Sequence, residues 1–100
     1  MNNKNFEVVD LYEYTKRGEK PPKGKKYKFK VKNKTYEVSA ETMTGRQICI
    51  LAGLNPPESY RLDMKMKGNV WKQIKLDDVV DFTEPGIERF DYVSLDQTEG

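Results

Sequence analysis

The chain reads as an α+β domain of the β-grasp type, in which a mixed sheet of roughly four to five strands wraps one helix. Two observations carry that reading. The segment from Thr44 to Gly53 has the start, the apolar face and the stop of a helix, and alternating strands joined by tight turns flank it on both sides. The order is hairpin, helix, hairpin, short turn and last strand. A ferredoxin-like plait needs a second long helix, which Asp77 to Phe82 is too short to supply. An SH3-like barrel would leave the capped helix unexplained.

The compact part starts at Lys26. Tyr27, Phe29 and Val31 alternate with Lys28, Lys30 and Lys32, giving a strand with one apolar and one basic face. Asn33-Lys34 is a short turn, and Thr35 to Ser39 returns with Tyr36 and Val38 inward. In the helix, Thr44 and Gln47 form a capping box, with Met43 and Ile48 placed as a hydrophobic staple. Ile48, Leu51 and Ala52 share a face, Gly53 supplies the stop, and Asn55-Pro56-Pro57 forbids continuation. Tyr60, Leu62, Met64 and Met66 then alternate with Arg61, Asp63, Lys65 and Lys67 as a third strand. Gly68-Asn69 turns the chain into a fourth, Val70 to Lys75, in which alternation leaves the side taken by Trp71 open. Asp77-Asp78-Val79-Val80 suits a single helical or 3₁₀ turn capped by acid, and Glu88 to Leu95 is the last strand. That strand would pair inside the sheet beside the first.

Residues 1–24 read as a separate, flexible N-terminal arm, 25–95 as the folded domain and 96–100 as a flexible tail. Within the arm, Asp10 followed by Glu13 is a capping signal, Lys16 and Arg17 suit a last helical turn, and Gly18 suits the stop. A helix over Leu11 to Arg17 is too short to persist without a partner. Paired prolines in Glu19-Lys20-Pro21-Pro22-Lys23-Gly24 mark a linker.

The 100 residues suffice for one modest core, and the apolar and charged fractions of 36% and 34% fit a soluble domain. No run nears the ~18 apolar residues of a membrane span, and the first residues carry no signal-peptide pattern. A single cysteine points to a reducing, cytoplasmic home. The net charge of +2 conceals an asymmetry: ten bases face the lone acid Glu19 between Lys16 and Lys34, and eight acids face the lone base Arg89 from Asp77 onward. The basic front admits nucleic-acid or anionic-surface binding. A solvated linker plus the outer face of an alternating strand is the plainer account. With no histidine and one cysteine, a thiol nucleophile lacks a base and a metal lacks ligands, so Cys49 reads as core. Asp77, Asp78 and Asp81 read as turn caps. No phosphate-cradling glycine loop is present, and no cofactor or active site is expected.

Several blocks carry a family resemblance: Thr44-Gly45-Arg46-Gln47-Ile48, Leu51-Ala52-Gly53-Leu54-Asn55-Pro56-Pro57-Glu58, Tyr60-Arg61-Leu62, and Glu84-Pro85-Gly86-Ile87-Glu88-Arg89-Phe90. In this order they resemble the bacterial multiubiquitin family, over roughly Tyr27 to Leu95. The family's ubiquitin-like domains occur in operons with E1-like, E2-like and deubiquitinase-like genes. The resemblance implies a ubiquitin-like β-grasp and a protein modifier that does no catalysis itself. The C-terminal carboxylate of Gly100 would be activated by E1-like and E2-like partners, exposed by a deubiquitinase-like or other processing protease, and joined to target proteins, as in an isopeptide bond. Asp96, Gln97, Thr98 and Glu99 would be read as an extended peptide. Two departures stand out: the chain has one domain copy, where the family is named for tandem arrays, and Glu99 stands where such modifiers usually carry a second glycine.

Two surfaces are candidates for partner binding. Ubiquitin presents an apolar patch on the open face of its sheet, but here Arg61, Asp63 and Lys65 point outward, with Val93 as the one apolar residue near the tail. The segment Val8-Val9-Asp10-Leu11 resembles peptides that add a strand to ubiquitin-like sheets, so Val8, Val9 and Leu11 are candidates for partner binding or self-association through the arm. A docked or frayed N-terminal helix is the plainer account of the same residues. A non-covalent β-grasp adaptor, a self-assembling module and a basic nucleic-acid binder are the rivals to the modifier.

Overall fold

A computed structural model describes residues 7–95. Strands β2 (Lys26–Val31) and β3 (Lys34–Val38) form the first hairpin, β5 (Tyr60–Met66) and β6 (Val70–Ile74) the second, and β8 (Ile87–Ser94) ends the described chain. Preceding them are a short strand β1 (Val8–Asp10) and a helix α1 (Leu11–Arg17). A short strand β4 (Thr42–Thr44) leads into α2 (Gly45–Leu51), and β7 (Val79–Asp81) lies between β6 and β8. The β-grasp expectation holds: a mixed sheet packs against α2 through Tyr27, Phe29, Leu62 and Phe90 on one side and Ile48 and Cys49 on the other. Phe29 stacks on Phe82 with ring centroids 4.9 Å apart and meets Phe90 edge-on at 5.4 Å.

The last strand is central. It pairs antiparallel with β5 from Tyr60↔Ser94 to Met66↔Ile87, and meets β2 in parallel at Val31↔Phe90. A strand has two hydrogen-bonding edges, and β3 takes one edge of β2. The other edge is divided. Its end belongs to β8, where Lys32 N donates to Phe90 O at 2.8 Å. Its beginning belongs to β1, through Val8↔Lys26, Val9↔Tyr27 and Asp10↔Lys28 in parallel. At Leu11 the chain leaves the ladder and becomes α1, which packs on both β8 and β2. The buried Thr15 hydroxyl donates to the Ile87 carbonyl at 2.6 Å, giving that carbonyl a partner from α1.

This overturns the reading of the front as a separate arm. Within residues 7–24, Val9 and Leu11 are 0% exposed and belong to the main core. The local signals were sound: Asp10 accepts from the N–H groups of Tyr12 and Glu13, and Gly18 closes the helix at φ 72°. What sequence reading lacked was the partner, which is the chain's own sheet. The large sheet accordingly has six strands rather than four or five.

Two smaller corrections concern turns. Residues 77–80 do not make a helical turn. The Asp78 carboxylate accepts from Lys75 N at 2.8 Å, and β-branched Val79 and Val80 extend to pair with β4 as a two-stranded sheet. The first hairpin turns at Lys32-Asn33 rather than Asn33-Lys34, with Lys32 at φ 57°.

Candidate functional site

The site expected from the sequence has three parts: the tail, the open face of the sheet near it, and the front segment. The approach to the tail is firmly built. Leu95 N donates to Ser59 O at 2.8 Å, extending the anchoring of β8 past its last ladder pair. Asp96, Gln97, Thr98, Glu99 and Gly100 lie outside the described residues.

On the open face, alternation places Arg61, Asp63 and Lys65 outward from β5, and the register sets them beside Val93, Asp91 and Arg89 of β8. On the other flank, Asp63 and Lys65 face Gln73 and Trp71 of β6. A shallow depression of about 360 Å³ joins Arg61, Asp63, Trp71, Gln73, Asp91 and Val93. Three of the four expected residues therefore come together, while Lys65 turns to Glu88 at 2.6 Å. Trp71, whose side the alternation left open, lies 45% exposed with the Arg89 guanidinium 5.3 Å from its ring centroid.

The charges on this face are matched. Arg61 donates through Nε and Nη2 to the same Asp63 oxygen at 3.1 and 3.0 Å. Lys32 reaches Asp91 at 2.6 Å and lies 4.4 Å from the Tyr92 ring centroid. Burial pushes the Asp91 carboxyl up, but the Lys32 hydrogen bond, the Tyr92 N–H and the nearby Lys32 and Arg89 charges outweigh it and hold the carboxyl below its ordinary value. The apolar surface of the depression includes Val93, 43% exposed, and the Trp71 ring, and Leu95, 53% exposed, follows two residues beyond Val93.

The front segment is placed otherwise than a free strand-adding peptide would be. Val9 and Leu11 lie in the chain's own core, and Val8 alone of the three is at the surface. The segment does add a strand, but in cis and at the seam between β2 and β8. The basic front is likewise partly neutralised: Lys28 pairs with Asp10 at 3.8 Å, Lys25 with Glu7 at 3.8 Å, and Lys23 with Glu41 at 4.0 Å. Cys49 is buried, and that burial pushes its thiol up, away from the reactive thiolate. Among the described residues no cluster of His, Cys, Asp and Glu could hold a metal ion, and no helix is long and apolar enough to cross a membrane.

The multiubiquitin family model matches residues 27–91. The chain belongs to the multiubiquitin family. The match begins at Tyr27 in β2 and closes at Asp91 in β8, so β1 and α1 lie before the matched residues of this multiubiquitin domain. No curated protein and no solved structure matches it.

Proposed function

We propose that this chain is a ubiquitin-like protein modifier whose Gly100 carboxylate is joined to other proteins. An E1-like enzyme would condense that carboxylate with ATP to an acyl adenylate, releasing pyrophosphate. A thiol of the E1-like partner would displace AMP from the adenylate to form a thioester, a thiol of the E2-like partner would take the acyl group by exchange, and a target amine would displace that thiol to leave an amide. A processing protease of deubiquitinase-like type would expose or recover the glycine. The chain contributes the acyl group and a recognition surface.

The observation that carries this reading is the position of β8. The tail follows a strand paired with both β2 and β5, so the residues after Leu95 start from a fixed point. Membership of a ubiquitin-like family supports it, and glycine at position 100 suits a carboxylate that must pass a narrow channel. Enzymes acting on this tail have to accept the charged Glu99 beside the glycine.

The test is to incubate the chain with an E1-like partner, ATP and a target extract, and to map adducts by mass spectrometry. The expected result is a bond through the Gly100 carboxyl that disappears when Gly100 is deleted. An adduct that survives the deletion refutes the proposal. Partner binding without any adduct would favour the non-covalent adaptor.

A further inference from the structure

A second surface lies on the opposite side of the sheet from the depression around Trp71. Between β6 and the small β4–β7 sheet runs a groove of about 450 Å³. Its floor is apolar, built of Met64 and Met66 from β5 and Ile74 from β6, and Val79 stands 65% exposed on its wall. Methionine side chains re-pack readily, which suits a floor that must accept varied apolar groups.

The rim is acidic. Asp78, Asp81 and Glu84 stand around the groove against the single cation Lys72. The Asp78 and Asp81 carboxylates accept backbone N–H groups from Lys75 and Thr83, while Glu84 is exposed and makes no ion pair among the described residues. Lys20 crosses from the linker to donate to the Thr83 carbonyl at 2.7 Å, and its charge, after the Thr83 hydrogen bonds, helps hold the Asp81 carboxyl below its ordinary value. Both walls are also strands that pair on one edge only among the described residues, β6 with β5 and β7 with β4. A strand edge with free backbone groups beside an apolar floor is what an added extended peptide uses, its alternate side chains entering the pockets.

We propose that this groove receives an extended segment of a partner protein carrying apolar side chains at alternate positions, flanked by Lys or Arg. Backbone pairing along β6 or β7 supplies affinity, the methionine floor takes the apolar side chains, and the carboxylate rim selects the basic flanks. The site is independent of Gly100, so a partner held here could bind the free chain and the conjugated chain alike.

The test uses the full chain and a displayed library of random peptides. Enriched peptides should alternate apolar residues and end in Lys or Arg, and in solution they should shift the ¹³C-methyl signals of Met64 and Met66. Val79→Glu and Glu84→Lys should each weaken binding about tenfold or more, with the thermal unfolding of the exposed-site variants unchanged. Val93→Glu, on the other face, should leave binding intact. Enrichment of acidic peptides, no enrichment, or shifts confined to the other face would overturn the proposal. If the methionine signals shift with concentration of the chain alone and its mass doubles by light scattering, the occupant is a second copy and the partner proposal is wrong.

Discussion

Lys32 and Asp91 meet 2.6 Å apart at the point where β8 joins β2. Because the folded Asp91 carboxyl sits below its ordinary value, its ionised form favours the fold at neutral pH. That contribution is full above the ordinary aspartate range of about 3.9 and is lost as pH falls through the lower folded value. Asp91→Asn should therefore flatten the acid side of the stability profile, read as urea midpoints from pH 6 down to about 2.5. An unchanged acid slope would count against the pairing. Trp71 shows where residue-scale reading runs out. Period-two alternation assigns a side only when one face is buried, and β6 is an edge strand whose first four residues are all exposed. The outward position of Trp71 follows from its register opposite Lys65, and register depends on the partner strand.

Helix α2 was legible to within a residue because its determinants are local. Thr44 Oγ1 accepts from Gln47 N at 3.1 Å, and Gln47 Oε1 accepts from Thr44 N at 2.8 Å, which closes the predicted box. The requirement at Gly45 was not legible. The N–H groups of Gly45 and Arg46 donate to the carbonyls of Asp78 and Leu76, drawing the helix start against the loop after β6. A Cβ on Gly45 would lie 2.3 Å from the Lys75 carbonyl oxygen, and backbone cannot swing aside as a side chain can. Gly45→Ala should cost about 1–3 kcal/mol, despite alanine's better helix propensity. Equilibrium unfolding checks this, and an alanine variant as stable as the parent would show that the loop yields. The same loop explains the strand at 79–80: the Asp78 carboxylate does hold the turn through Lys75 N, but the valines after it take a strand partner more than thirty residues earlier.

At the scale of the molecule, β1 and α1 turn an apparent appendage into part of the core. Removing residues 1–24 should lower the unfolding free energy by more than a single buried leucine would, about 2–5 kcal/mol, and should broaden the urea transition. A truncated chain that unfolds with the parent's midpoint and slope would return the segment to the status of an arm. The basic front and acidic back also meet in the fold, through the ion pair of Lys32 with Asp91. The opposed charges are therefore answered in part within one molecule. The divided edge of β2 gives the molecule unequal mechanical ends. A pull on the front works against β1, whose three paired positions can peel away one after another with the short helix behind them. A pull on the back acts along β8, whose seven paired positions with β5 would have to slide together. An unfolding motor that seized this domain by its front would meet the yielding end first, and one that hauled on the tail would face the whole sheet at once.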